Sequence, residues 1–394
     1  MRRVIGGDRG LRRALIALCV TEITGWGVLY YALPVAAGDI TATEGWTHGE
    51  VFTAFSTGLL VSAVAGVGVG RLLDRLGPRP VMTVGSLVGV LGLLLVASAP
   101  NLAVFFVAWL VTGIAQSAAL YPPAFAAITR WYGEARTWPL TVLTLVGGLA
   151  STVFAPITHL LVEDLGWRGA FLVLTAIYAL VTIPLHAIFL TPPWPGNLLP
   201  AGGHHGRRQE IRSVVRSGRF LSLQMSLTLT ALGMYAVTLN LIPLLTSRGF
   251  GPAAAATVFG LVGAGQVLGR LLFAALPSGR APYVRTLTIG TASVLVLTLL
   301  ALLPGPAPAL VAAAILAGAV RGAFTLLQAT AVSDRWGTRH FGALNGTFTV
   351  PLTASIALAP AAGAWASDLL GGQTAAVAGF AVLAAVGVLV GRRA

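Results

Sequence analysis

Apolar runs of about 20 residues or more recur along the chain, each closed by a cluster of Gly, Pro or Arg. A helix needs a run of that length to cross the hydrocarbon layer of a bilayer. Twelve such runs can be placed, at approximately 13–37, 50–70, 79–98, 102–129, 138–161, 169–190, 219–246, 253–276, 283–303, 308–332, 341–365 and 372–391. The pattern predicts an all-α membrane protein of twelve transmembrane helices. Composition agrees: 56% hydrophobic residues, 9% charged residues and a mean hydropathy of +0.85 are too apolar for a soluble protein of 394 residues.

Charge changes the picture through its position rather than its sum. The net charge of +13 comes from Arg alone, since the chain has no Lys. If the N-terminus is cytoplasmic, 21 of the 25 basic residues fall inside (25 − 2 − 2). Arg168 and Arg248 fall outside, and Arg270 and Arg321 fall at or within the membrane. The positive-inside rule therefore predicts that both termini are cytoplasmic. Distributed in this way, the arginines form topogenic loops and argue against a nucleic-acid partner. The basic N-terminal segment leads into apolar sequence without a small-residue cleavage site, so it is expected to stay as helix 1. The lone Cys19 excludes an internal disulfide and any cysteine-based metal cluster. His204-His205 lacks further ligands at sensible spacing, and His159 and His186, near helix ends, read as packing residues.

The chain also repeats itself. Gly113 to Trp131 superposes without gaps on Gly318 to Trp336, placing Arg130-Trp131 against Arg335-Trp336 at an offset of 205 (335 − 130). Pro156 and Asp164 match Pro360 and Asp368, and Pro34 lies opposite Pro243. These matches predict two pseudo-symmetric six-helix bundles, over 1–190 and 219–394. The segment 191–218 between them, rich in Pro, Gly, His and Arg, reads as a linker without a fixed fold.

The loop Gly70-Arg71-Leu72-Leu73-Asp74-Arg75-Leu76-Gly77-Pro78-Arg79 joins the second and third runs, and Gly269-Arg270-Leu271-Leu272 follows the eighth. The first resembles the G-x-x-x-D-R-x-G-x-R loop of major facilitator superfamily transporters, and the second resembles its echo between helices 8 and 9. The resemblance covers the whole chain. It implies a secondary transporter, not an enzyme, working by alternating access, with the substrate site at the interface of the two halves near the bilayer midplane. It also implies a conformational gate at Gly70, Asp74, Arg75, Gly77 and Arg79, with Arg130 or Arg136 able to add a pair to Asp74. A carboxylate there favours the positive end of a helix by about 0.3–1 kcal/mol. Phe273 stands where the second half would carry the aspartate, so a one-sided latch is expected.

Ionised groups inside membrane helices cost about 2.5–3.5 kcal/mol at mid-bilayer and so mark function. Glu22, about nine residues into helix 1, and Arg321, near the middle of helix 10, both lie near the midplane at 1.5 Å rise per residue. Helices 1, 4, 7 and 10 line the central cavity in the family the chain resembles. The repeat partner of Arg321 is Gln116 on helix 4 (321 − 116 = 205). Glu22, Trp26 and Tyr30 share one helical face, as do Arg321, Thr325 and Gln328; Tyr235 and Asn240 on helix 7 complete the candidate substrate residues. A buried glutamate can load and release a proton, whereas a guanidinium stays charged and offers a planar fork to a carboxylate. The expected mechanism is proton-coupled transport of a small organic anion, with Arg321 holding the anion and Glu22 carrying the proton. The bland alternative is a permanent Glu22–Arg321 pair that only holds the halves together.

Arg130-Trp131-Tyr132, Gly166 to Phe171 and His340 to Gly346 resemble bacterial members around the monocarboxylate and oxalate/formate branch, and Arg270 fits that branch's helix 8 arginine. Its helix 1 lysine and helix 8 aspartate have no match, Glu22 and Gln266 being the nearest polar residues. The rival is a proton-antiporting drug or metabolite exporter, suited by a helix 1 acid and by Gly147-Gly148 with Ala155-Pro156. In either case the expected partners are a small solute, protons and membrane lipids, with no metal or cofactor. The expected state is a monomer in the cytoplasmic membrane of a bacterium.

Overall fold

The computed structural model describes residues 4–194, 205–275, 282–337 and 341–392. Arg2, Arg3, His204, Arg280, Arg339, His340 and Arg393 lie outside the described residues, as does 195–204 of the linker. Among the described residues the secondary structure is helical, without strands. A bilayer imposes this, because a backbone amide without a partner in hydrocarbon costs several kcal/mol and a helix satisfies its own amides.

Eleven segments are long and apolar enough to span a membrane. They are α1 (Arg9–Glu44), α2 (His48–Leu76), α3 (Pro78–Ser98), α4 (Leu102–Tyr132), a 53-residue segment Thr137–Phe189, α7 (Gly218–Leu239), α8 (Pro252–Phe273), α9 (Pro282–Leu302), α10 (Ala307–Trp336), α11 (Leu344–Leu369) and α12 (Gln373–Gly391). The long segment is two helices. Gly166 leaves helical geometry at φ 66°, ψ 171° and separates α5 (137–165) from α6 (167–189). Asp39 accepts a 2.8 Å hydrogen bond from the Trp167 backbone amide just past the break, and Arg168 pairs with Glu44 at 3.0 Å while its guanidinium covers the Trp167 ring. The break restores the twelve crossings read from the sequence.

The chain divides into two compact units, Met1–Leu199 and Pro200–Ala394. Each is held together by close helix contacts that the repeat places in register. A side chain on Gly113 of α4 would run into the carbonyl oxygen of Gly58 on α2; one on Gly318 of α10 would run into that of Val262 on α8. The two glycines are 205 apart (318 − 113). Without a hydrophobic drive between helices in lipid, such close approach supplies the packing.

Three irregularities set the local geometry. α1 passes through a π-helical turn at Gly27–Tyr31, where one extra residue leaves a carbonyl out of the α ladder. α4 breaks at Leu120 (φ −101°, ψ −163°) ahead of Tyr121-Pro122-Pro123, since Pro122 and Pro123 have no N–H to return to the Ala118 and Ala119 carbonyls and suit the first turn of a new helix. α7 ends at Asn240, and the chain continues as the short helix Leu241–Thr246. Part of the linker, expected to have no fixed fold, is helical at His205–Val215. Ile211, Val214 and Val215 pack on a core of Phe220, Leu223, Leu344 and Phe348, which gives that turn of chain an apolar face to bury.

Candidate functional site

In the N-terminal unit, Glu22 is fully buried in α1. Trp26, one turn on, donates its indole N–H to Oε2 at 3.0 Å, while Oε1 has no hydrogen-bond partner among the described residues. Trp26 then starts an aromatic chain. Its ring meets Tyr30 edge-on at 5.1 Å and Tyr121 at 5.0 Å, and Tyr121 stacks on Phe125. Tyr30 also packs edge-on against Phe55 and is 4% exposed, so its ring belongs to the bundle core. The helical spacing Glu22, Trp26, Tyr30 does place the three on one contiguous surface.

Gln116 is brought to the same region but its amide nitrogen is engaged. Nε2 donates to the Leu29 carbonyl at 2.8 Å, inside the π turn of α1. Gln116 thus ties α4 to α1 just beyond Glu22.

In the C-terminal unit, Arg321 is 3% exposed in α10. Nη1 donates to the Thr238 hydroxyl at 3.1 Å, and the guanidinium lies over the Tyr235 ring at 4.1 Å from its centroid. Thr238 was not among the sequence candidates. Its signal was the i+3 spacing from Tyr235, which brings both onto one face of α7. The Asn240 amide nitrogen donates to the Ala236 and Pro360 carbonyls and bridges the end of α7 to Pro360 within α11. Gln328 lies two turns from Arg321, with Nε2 buried and lacking a partner among the described residues. On α8, Arg270 and Gln266 are buried, and Gln266 Nε2 likewise has no partner there.

Four of the residues expected at the gate, Asp74, Gly77, Arg79 and Arg130, lie at the end of the N-terminal unit where α2 turns into α3. Asp74 accepts a short charge-assisted bond from Arg130 at the end of α4. Trp194, beyond α6, completes the contact. Its indole N–H donates to the Asp74 carbonyl at 3.2 Å, and the Arg130 guanidinium lies over its ring at 4.3 Å. Trp194 also fills the space beside Gly77, whose φ of +82° would strain any side chain and whose added Cβ would lie 3.1 Å from the Trp194 ring. Arg79 Nε donates to the Ala187 carbonyl at 2.7 Å, pinning the start of α3 to the end of α6. Gly70 and Arg75 take no part in these contacts. Nothing in the local sequence singles out Trp194; it sits in a stretch of prolines that reads as linker.

The C-terminal unit carries an ion pair at the matching end, built from other residues. Arg285 at the start of α9 meets Asp334 near the end of α10 at 3.5 Å, and its guanidinium faces the Phe273 ring at 5.5 Å. Arg335, the repeat partner of Arg130, donates instead to Thr286 at 2.9 Å. Phe273 in α8 stands where α2 carries its aspartate, and the acid of this pair lies on α10 with an aromatic ring facing the base.

Among the described residues no group of three His, Cys, Asp or Glu could hold a metal ion.

The chain is 26% identical to rat (Rattus norvegicus) monocarboxylate transporter 13 over 381 residues, covering 95% of this chain and 85% of that protein. It is 31% identical to the multidrug resistance protein MdtL of Klebsiella pneumoniae over 168 residues, 42% of this chain and 41% of the relative. Among solved structures, a POT family transporter in complex with 5-aminolevulinic acid superposes with a TM-score of 0.77 at 12% identity, covering 96% and 95% of the two chains. The nucleoside transporter NupG superposes with a TM-score of 0.74 at 15% identity, covering 96% and 98%. At those identities the superpositions speak to the fold alone. The family profile of the Major Facilitator Superfamily matches residues 15–307, and with twelve apolar crossings in two repeated units this chain is a member of that superfamily, a membrane transporter rather than an enzyme.

Proposed function

We propose that this chain is a proton-coupled carrier of small organic anions, of the carboxylate class, in the cytoplasmic membrane of a bacterium, with both termini and the 191–218 linker in the cytoplasm. Arg321 holds the anionic group and Glu22 carries the proton. The observation that supports the reading best is the setting of Arg321. A guanidinium buried in a membrane helix, held flat by Tyr235 and Thr238, is a preformed fork for a carboxylate. Glu22 supports it from the other unit, because a buried carboxyl with one unengaged oxygen has a place for a proton. The similarity to monocarboxylate transporter 13 along nearly the whole chain points to the same substrate class.

The similarity to MdtL favours a second reading, a proton-antiporting exporter in which Glu22 meets a cationic solute. Flux in proteoliposomes under an imposed pH gradient separates the two. Accumulation of labelled lactate, pyruvate or oxalate, lost in Arg321→Ala, supports the anion carrier. Gradient-driven movement of ethidium that survives Arg321→Ala, with no anion flux, replaces it by the exporter. In a Cys19→Ser background, a cysteine at the exposed Ser213 should react with an impermeant maleimide only after the cells are opened; labelling of intact cells would overturn the orientation.

A further inference from the structure

The linker helix His205–Val215 runs into α7 through the turn Arg216-Ser217, and Ser217 caps α7 by accepting from the Phe220 amide at 3.3 Å. Between 207 and 219 the chain carries five arginines and one glutamate, a net charge of +4 (5 − 1). Ile211, Val214 and Val215 pack on the core of the C-terminal unit, which fixes the backbone that carries the charges. Arg212, Arg216 and Arg219 are exposed. None of their guanidiniums has a hydrogen bond, ion pair or ring contact among the described residues. Other arginines of this unit are held: Arg285 by Asp334, Arg335 by Thr286 and Arg248 by the Ala301 carbonyl.

The height of these charges follows from α7. It has 22 residues, Gly218–Leu239, and is about 33 Å long at 1.5 Å per residue, against a hydrocarbon layer of about 30 Å. Arg219, its second residue, therefore stands at the level of the lipid headgroups, with Arg216 and Arg212 just before it. Directly inside, α7 bares Leu221 and Met225, 50% and 51% exposed and one turn apart on the same face. On a membrane helix such side chains meet acyl chains. Unpartnered cations thus stand over a bare apolar surface, which suits a lipid with an anionic head. An acidic protein segment would answer the arginines and leave Leu221 and Met225 uncovered.

We propose that Arg212, Arg216 and Arg219 bind the headgroup of an anionic phospholipid whose acyl chains lie along Leu221 and Met225. That the lipid belongs to the cytoplasmic leaflet rests on the orientation proposed above. A guanidinium offers a phosphate a planar, two-donor fork, and each arginine near an anionic bilayer surface favours binding by about fivefold. A zwitterionic lipid brings an ammonium toward the same arginines and loses that gain. Glu210, the acid of the segment, is also exposed and opposes the headgroup.

The test needs no substrate. Full-length protein with Cys19→Ser and Leu221→Cys carries a bimane fluorophore at 221 and is reconstituted into phosphatidylcholine vesicles. Phosphatidylglycerol and phosphatidylcholine, each with a nitroxide on the same acyl carbon and present in both leaflets, are compared as quenchers. Phosphatidylglycerol should be preferred at 221, and the two should quench alike at Leu295→Cys, a position equally bare on α9. Arg219→Gln should lower the preference by about fivefold, the Arg212→Gln/Arg216→Gln/Arg219→Gln variant should abolish it, and Glu210→Gln should raise it. Circular dichroism checks folding. Equal quenching by the two lipids at 221, or a preference that survives in the folded triple variant, would overturn the site. If soluble glycerol 1-phosphate or hexaglutamate removes the preference as well as unlabelled phosphatidylglycerol does, the arginines serve a free anion or an acidic protein and the lipid assignment falls. Orientation fails separately: maleimide labelling of intact cells would move the lipid to the other leaflet and leave the preference in place.

Discussion

Arg321 lays its guanidinium on the ring of Tyr235, 4.1 Å from the centroid, and donates to Thr238 one turn along the same helix. Three consequences of that contact bear on transport: the cation is oriented, partly desolvated and held by α7. Arg321→Lys keeps the charge but loses the fork and the stacked plane. Binding of a carboxylate substrate should weaken by about tenfold, roughly 1.4 kcal/mol. Tyr235→Leu should weaken binding by a similar amount, because a cation–π contact is worth about 0.5–2 kcal/mol and the guanidinium is no longer held flat. Isothermal titration in detergent is the measurement; equal affinity in wild type and Arg321→Lys would remove the anion from this residue.

Glu22→Gln mimics the protonated carboxyl and keeps an acceptor for the Trp26 indole. Proton-driven accumulation should be lost while exchange of labelled for unlabelled substrate continues, since exchange needs no net proton movement. Counterflow and gradient-driven uptake in the same vesicles separate the two. A variant that still concentrates substrate with unchanged pH dependence would place the proton elsewhere.

At the gate, Asp74 is about half exposed and its pair with Arg130 is worth at most about 1 kcal/mol. Asp74→Asn should therefore leave folding intact and shift the protein toward states open on that side. Trp194→Ala should produce the same shift, because Trp194 covers both members of the pair. Spin-label distances across the gate report the populations, and no change in either variant would remove the latch.

Packing makes a sharper prediction. Gly318→Leu drives a side chain into the Val262 carbonyl, and overpacking of this kind costs about 1–3 kcal/mol. Gly38, helical and exposed with nothing within 4 Å of an added methyl, should accept Ala with no loss and a gain of about 0.5–1 kcal/mol. Thermal unfolding in detergent should lower the midpoint for the first and hold or raise it for the second.

The twelve crossings, the repeat and the polar candidates Glu22 and Arg321 can be read from the chain alone, because each depends on a property of a single helix. Apolar length sets a crossing, a glycine at a fixed offset marks close packing, and one charge in an apolar run stands out without reference to anything else. The Asp74 motif is legible for the same reason. What the tertiary structure alone decides is the partner of each polar atom. Gln116 and Asn240 look equivalent to Gln328 in sequence, yet Gln116 gives its amide nitrogen to Leu29 in a π turn, Asn240 gives its own to Ala236 and Pro360, and Gln328 keeps an unengaged nitrogen. Trp194, a linker residue by composition, becomes the cover of the Asp74–Arg130 pair. These assignments follow from helix rotation and irregular turns. Both are settled by how helices far apart in the chain pack together, and no window of sequence contains that information.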